Sequence, residues 1–319
     1  SWWLWARRVL IGAFLALVAV LLVRYARRFD WPEVWHSLTH LPHRVVLGAI
    51  ALAACSHLLY SCFDLIGRHY VKHRLATRRV MQIGAISYAF NLTMGSAVGG
   101  VGFRVRLYSG FGLGYAQIAR VLTLSILTNW LGYLLLAGTV FLLAPLDLPP
   151  QWKLDGDELS LVGIALVAVA LGYLGLCGWS RRRTWRIRGH EIFLPSLRLA
   201  LIQLALSCCN WMLIAATIWT LLQGRVPYST VLPVFLLAAM AGIVVRVPAG
   251  LGVVEAVFVT LLSHRIPAGQ LLAALLGYRA IYYMLPLAVA ALLYLRLELD
   301  ARKSLRPHNV RTNVFKAPR

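Results

Sequence analysis

Apolar runs of 15 to 25 residues recur along the whole 319-residue chain, and they restrict its fold more than any other feature. Such runs match the ~30 Å hydrocarbon core of a bilayer, because a helix rises about 1.5 Å per residue. Hydropathy puts long spans at roughly 9–23, 45–66, 121–144, 159–179, 199–222 and 270–295, with two irregular apolar stretches at 80–112 and 231–263. At 60% hydrophobic and 13% charged residues, the composition lies outside the soluble range. The expectation is an all-α polytopic membrane protein forming a single integral membrane domain over 1–319, since backbone in hydrocarbon must satisfy its own hydrogen bonds. The first run, Val9 to Val23, has Arg7, Arg8 and Arg24 at its flanks; with no small-residue cleavage site after it, it reads as an anchor and not a signal peptide.

The net charge of +21 raises the question of a nucleic-acid partner, and the placement of the charge answers it. Most of the 32 Lys and Arg residues fall in the N-terminus (1–8), in 67–79, 104–120 and 180–198, and in the tail 296–319. The alternate loops hold only Arg24, Arg27, Arg28, Arg44, Lys153, Arg225 and Arg265, while Arg246 and Arg279 lie within apolar stretches. By the positive-inside rule the basic side is cytoplasmic, and both termini are expected there. The partner implied is lipid, with no nucleic acid. The run Arg181-Arg-Arg-Thr-Trp-Arg-Ile-Arg188 suits anionic headgroups and interfacial anchoring, as do Trp2, Trp3 and Trp5.

Counting crossings between basic loops leaves an even number for 80–112 and for 231–263. Both stretches are therefore expected to be re-entrant helical hairpins, one from each face, beside six full spans. Val231 to Arg246 covers 16 residues, about 24 Å, short of a comfortable crossing. The expected breaks are Gly99, Gly100 and Gly102 in the first hairpin and Pro248, Gly250 and Gly252 in the second. Gly100-Val-Gly-Phe103 and Gly250-Leu-Gly-Val253 share a pattern about 150 residues apart, and opposed entry faces make an inverted repeat the expectation.

Arg246-Val-Pro248-Ala-Gly250-Leu-Gly252-Val-Val-Glu255 puts a guanidinium, a helix break and a carboxylate at hydrocarbon depth. Ionisable groups there are costly and mark functional sites by default. A helix restarting at Gly252 aims free N–H groups at the break, as in phosphate sites at helix N-termini. Arg246 and Arg279 can fork onto phosphate oxygens. Glu255 has two readings, as counterion or proton carrier and as a helix cap; Arg279 likewise reads as a headgroup contact or as a structural partner of Glu255.

Further stretches resemble a known family: Ser87-Tyr-Ala-Phe-Asn91-Leu-Thr93, Thr128-Asn-Trp-Leu-Gly-Tyr133, Pro248-Ala-Gly-Leu-Gly-Val-Val-Glu255 and Tyr278-Arg-Ala-Ile-Tyr-Tyr283. Together they are similar to the membrane region of lysylphosphatidylglycerol synthases, the flippase-like module, from Asp30-Trp31 to the last span. The resemblance implies translocation of an anionic or aminoacylated phospholipid between leaflets. Bifunctional members add a soluble aminoacyl-transferase domain; this chain ends about 24 residues past its last span, so transferase activity is not expected. Many members also have a Pro and a Gly-Glu pair in the first hairpin, where this chain reads Gly99-Gly-Val-Gly-Phe-Arg104.

The remaining candidates are weighed by spacing. Arg279, Tyr282, Tyr283 and Pro286 share a helical face, with Tyr283 a headgroup candidate. Ser87, Tyr88, Asn91 and Gly95 form one small-polar stripe and Ser125, Thr128, Asn129 and Gly132 another; both suit helix packing, and Asn129 is kept as a contact candidate. Arg104, Arg106 and Arg120 are expected at the cytoplasmic mouth, to gather headgroups or to anchor the chain. Asp64 and Arg68, four apart, are expected to pair. His69 and His73 lack the Glu of a zinc motif, and Cys55, Cys62, Cys177, Cys208 and Cys209 read as small buried hydrophobes, so no metal or cofactor is expected. The resulting expectation is a lipid translocase for phosphatidylglycerol or cardiolipin in a bacterial inner membrane. The rivals are an ion or small-anion transporter and a non-transporting subunit recruiting a lipid-modifying enzyme; homo-oligomers fit any of the three.

Overall fold

A computed structural model describes residues 31–144, 156–180, 184–187, 190–245 and 250–304. The expected anchor at 9–23, Arg246, Pro248 and the end of the tail lie outside the described residues.

The chain runs α1 (Trp31–Thr39), α2 (His43–Val71), α3 (Thr77–Met94), a π-helical segment (Ser96–Gly102), α4 (Phe103–Gly110), α5 (Tyr115–Leu143) and α6 (Gly156–Trp179). A short antiparallel pair, β1 (Thr184–Ile187) and β2 (His190–Phe193), follows. Then come α7 (Leu197–Leu221), α8 (Tyr228–Val245), α9 (Val253–Leu262), α10 (Ala268–Tyr278), a second π-helical segment (Arg279–Met284) and α11 (Leu285–Ser304). The protein is an all-α polytopic membrane protein, with one β-hairpin where the sequence reads as a basic loop.

Six described helices are long and apolar enough to cross a bilayer: His43–Val71, Tyr115–Leu143, Gly156–Trp179, Leu197–Leu221, Tyr228–Val245 and Ala268–Leu297. Five match expected spans. The sixth, Tyr228–Val245, belongs to a stretch expected to be too short. It begins three residues earlier than the hydropathy run, and its 18 residues reach about 27 Å. Pro233 inside it frees only the carbonyl of Ser229, an exposed residue in the first turn of the helix.

Helix starts follow local rules. Proline precedes α2 and α10, where a fixed φ and a missing N–H cost nothing. Ser196 caps α7 by accepting the N–H of Leu199. Asp157 and Glu158 occupy the first turn of α6, where the macrodipole favours acids.

The helices meet through small residues, the packing device of membrane bundles. A Cβ on Gly132 of α5 would overlap the side chain of Ser207 on α7, and one on Gly138 of α5 would come within 2.8 Å of the Gly163 carbonyl of α6. Ser207 donates to the carbonyl of Asn129 at 2.8 Å, and Gln203 donates to the Thr128 hydroxyl at 2.7 Å. Lipid-facing surfaces carry the exposed apolar residues, Leu161, Val169 and Leu292 among them. Cys177 is buried, but Cys55 and Cys209 are exposed on their helices, so the cysteines are not uniformly core residues.

Both irregular stretches reverse the chain. The first reversal is not at Gly100–Gly102. It lies at Gly95, whose φ of +82° and ψ of 169° end α3. Gly99, Gly100 and Gly102 are helical, in the π segment that folds back over α3. A Cβ on Gly99 would overlap the Phe90 carbonyl, and one on Gly100 would press on the Asn91 side chain at 2.9 Å. Gly99 and Gly100 serve close approach. The second reversal does use left-handed glycines, Gly250 at φ +58° and Gly252 at φ +77°.

Candidate functional site

Glu255 and Arg279 meet at the second break. α9 restarts at Gly252, which puts Glu255 third in its first turn, and Arg279 opens the π segment that interrupts the last span. Pro286 explains that interruption: it has no N–H for the Tyr282 carbonyl, so the turn widens. The Arg279 guanidinium forks onto the carboxylate, Nε donating to Oε1 at 2.8 Å and Nη2 to Oε2 at 3.2 Å. Nη2 also donates to the Gly250 carbonyl at 3.0 Å, tying the left-handed turn to the span. Tyr283 lies under the guanidinium, 5.0 Å from Cζ to ring centre. Each side chain of the pair is 11% exposed. Glu255 thus serves as the counterion of Arg279 from the first turn of α9, where N–H groups have no partner within the helix.

A second pair, absent from the sequence-based expectations, sits at the other hairpin. Arg104 of α4 forks onto Asp64 of α2, with Nε to Oδ2 at 3.0 Å and Nη2 to Oδ1 at 3.1 Å. Its Nη1 donates to the Gly100 carbonyl at 3.1 Å, and the Tyr108 hydroxyl donates to Asp64 Oδ2 at 3.0 Å. The side chains of Arg104 and Asp64 are 3% and 0% exposed. Two expectations change accordingly. Arg104 is not at an open mouth, and Asp64 does not pair with Arg68, which instead donates to the Thr77 hydroxyl across the α2–α3 turn. Asp64 is buried, so it takes the donors that can follow it into the core. Arg106 and Arg120 are exposed. Arg106 lies over the Tyr294 ring at 6.0 Å.

Aromatic and polar side chains join the two pairs. Arg104 lies 5.9 Å over the Tyr60 ring, and Tyr60 stacks on Tyr88 with centroids 3.6 Å apart. The Tyr88 and Tyr282 hydroxyls are 2.9 Å apart, and Tyr282 reaches Ser56 at 2.7 Å. Ser56 donates to Asn210 Oδ1 at 2.7 Å, which fixes the direction: Tyr88 donates to Tyr282, and Tyr282 to Ser56. Tyr278 and Tyr283 continue the contact to Arg279. His57 lies against both Tyr88 and Tyr282, its Nδ1 donating to the Ala53 carbonyl at 3.0 Å.

Of the expected contact residues, then, Gly252, Glu255, Arg279 and Tyr283 come together at one break, with Gly250. Arg104 belongs to the other hairpin. Asn129 lies in the α5–α7 contact, its carbonyl also accepting from Trp211 at 3.1 Å. Arg246 and Pro248 are outside the described residues. Among the described residues no cluster of three His, Cys, Asp or Glu is placed to hold a metal.

Known proteins share this chain's sequence over nearly its full length. It is 44% identical to the inner membrane protein YbhN of Escherichia coli (strain K12), covering 96% of each chain. It is 29% identical to an uncharacterized protein of Synechocystis sp., covering 88% of each. At 22% identity, 88% of it matches 32% of the phosphatidylglycerol lysyltransferase of Staphylococcus haemolyticus, so the likeness there is to about a third of that enzyme. The family described as the lysylphosphatidylglycerol synthase TM region matches residues 9–290, which includes both hairpins and both ion pairs. This multi-pass membrane protein belongs to the lysylphosphatidylglycerol synthase transmembrane-region family.

Proposed function

We propose that the protein is a lipid translocase that moves the headgroup of an anionic or aminoacylated phospholipid, such as phosphatidylglycerol or cardiolipin, between the leaflets of a bacterial inner membrane. The observation carrying this reading is the Arg279–Glu255 fork, closed over the Gly250 carbonyl at the start of α9. A phosphate presents the same paired oxygens as a carboxylate, so it can replace Glu255 on the guanidinium while the α9 N–H groups take a third oxygen. Glu255 then leaves either protonated or turned toward water, and its return expels the headgroup. Acyl chains stay in lipid throughout.

Location and lipid class draw support from the relatives: one is called an inner membrane protein, and another is named for phosphatidylglycerol. The basic loops put both termini on the cytoplasmic side. In this reading the hairpins at 80–112 and 231–263 are re-entrant from opposite faces and alternate access, with Arg104–Asp64 holding the first shut. A proton or ion gradient drives the cycle, or the protein equilibrates the leaflets.

The test is a proteoliposome assay that follows leaflet exposure of labelled phosphatidylglycerol, cardiolipin and phosphatidylcholine alongside chloride and phosphate flux. Faster movement of the anionic lipids than of phosphatidylcholine is expected. Anion flux without lipid movement would instead make the protein a small-anion transporter.

A further inference from the structure

His57 is a buried ionisable side chain that neither ion pair uses. It is the fifteenth of the 29 residues of α2, which puts it near the middle of a span, and it is 8% exposed. Its Nδ1 can only donate to the Ala53 carbonyl, so the lone pair of the neutral ring lies on Nε2. Nε2 is buried and has no hydrogen-bond partner among the described residues. Packing alone does not call for an imidazole there, because a buried acceptor without a donor costs stability that an apolar side chain would not. The titratable groups around the ring are tyrosines: Tyr88 of α3 with centroids 4.9 Å away, Tyr282 of the second π segment at 4.7 Å, and Tyr60, one turn along α2, which stacks on Tyr88. α5 and α7 also pack on α2, and they carry no charged residue from Val121 to Leu143 or from Leu199 to Leu221. Charge stands one ring further out, with Arg104 and Asp64 beyond Tyr60, and Arg279 and Glu255 beyond Tyr283, which packs edge-on against Tyr282.

Building on the translocase reading, we propose that His57 Nε2 is the proton-binding site of the cycle and that the protein carries one proton with each anionic headgroup. The argument is one of charge balance. Asp64 offsets Arg104 and Glu255 offsets Arg279, so with a neutral imidazole these buried groups carry no net charge. A phosphodiester would enter uncompensated, and a lone charge at that depth is costly. One proton on Nε2 restores the balance, and the tyrosine faces beside the ring favour a cation there. In the closed pair both Glu255 oxygens are held by Arg279, whereas the Nε2 lone pair is open. On release of the headgroup the same proton leaves Nε2, and Nδ1 keeps its bond to Ala53.

The experiment reconstitutes the full chain in phosphatidylcholine vesicles holding a trace of acyl-labelled phosphatidylglycerol or phosphatidylcholine. A pH difference of one unit is imposed, the membrane potential is clamped with valinomycin and potassium, and the final leaflet ratio of the label is read against protein-free vesicles. With one proton per lipid, phosphatidylglycerol should collect about tenfold in the leaflet on the alkaline side, since one pH unit is one decade in an equilibrium. Phosphatidylcholine, with no net charge, should stay evenly distributed. His57→Gln should lose the accumulation, as should His57→Phe, which keeps an aromatic ring among the tyrosines; melting curves verify the fold of each. A pH-driven ratio that persists in either folded variant moves the proton to another group, Glu255 first, and overturns the proposal. So does a wild type that exchanges phosphatidylglycerol without responding to pH, or one that accumulates phosphatidylcholine equally. A wild type that moves no phosphatidylglycerol between leaflets fails at the translocase reading itself and takes this proposal with it.

Discussion

Arg104 and Arg279 close the same kind of fork with the partners exchanged between elements. Arg104 sits on the returning arm of the first hairpin and grips a carboxylate on a long helix; Arg279 sits on a long helix and grips a carboxylate on the returning arm of the second. Each spends a further N–H on a glycine carbonyl of the hairpin it closes, Gly100 or Gly250. The two latches differ in access. Asp64 and Arg104 are sealed, whereas Glu255 and Arg279 retain a little exposure, which is why the proposed headgroup path runs through the second.

Burial makes Asp64 the more costly residue to alter. Asp64→Asn leaves the Arg104 charge buried without its counterion, and a loss of about 3–5 kcal/mol is expected. Thermal unfolding in detergent should show it as a large drop in melting temperature. The double variant Asp64→Leu, Arg104→Leu should recover most of that loss, because neither charge then remains.

Backbone contact sets the next expectation. Gly99→Ala pushes a methyl into the Phe90 carbonyl, where backbone cannot yield, and should destabilise the first hairpin by more than the usual propensity change. Gly110→Ala meets nothing within 4 Å and should be neutral or slightly stabilising. Paired melting curves, with hydrogen exchange over 95–110, check both.

Much of this was readable from residue order, and the failures share a cause. The later spans show in hydropathy because lipid contact demands long apolar runs, and Glu255 with Arg279 could be paired because each needs a counterion at depth. Asp64 misled because Arg68, four residues on, offers a local partner. The real one, Arg104, is 40 residues away and is chosen by tertiary packing. Gly95 does not stand out as a break beside the Gly99–Gly102 cluster, which looks like a turn, yet none of those glycines has a positive φ and Gly99 and Gly100 are needed for proximity.

His73, in the turn after α2, adds a pH dependence. Burial lowers its pKa below the ordinary histidine value, with Arg68 pushing the same way and Asp64 opposing. The unfolded chain therefore binds this proton more readily than the folded one, and stability falls as pH drops below about 6.5, the ordinary value, toward the lowered one. His73→Gln should remove that part of the acid sensitivity. Melting temperatures at pH 7.5 and 5.5 should differ less in the variant than in the wild type.

Tyr282 ties the two latches together, and Tyr282→Phe removes its donation to Ser56 and its acceptance from Tyr88. A loss of about 1–3 kcal/mol is expected from the groups left unpaired. Tyr283→Phe keeps an aromatic face under Arg279 and should cost less than about 1 kcal/mol. Urea or thermal melts of the two single variants give the comparison.

The most direct measurement is the rate at which labelled phosphatidylglycerol, cardiolipin and phosphatidylcholine change leaflets in proteoliposomes of wild type and Arg279→Gln. With the guanidinium gone, transfer of both anionic lipids should fall at least tenfold, to the phosphatidylcholine rate, in protein whose fold is verified by its melting curve. Equal rates in the two proteins for every lipid would contradict a headgroup path through Arg279 and Glu255.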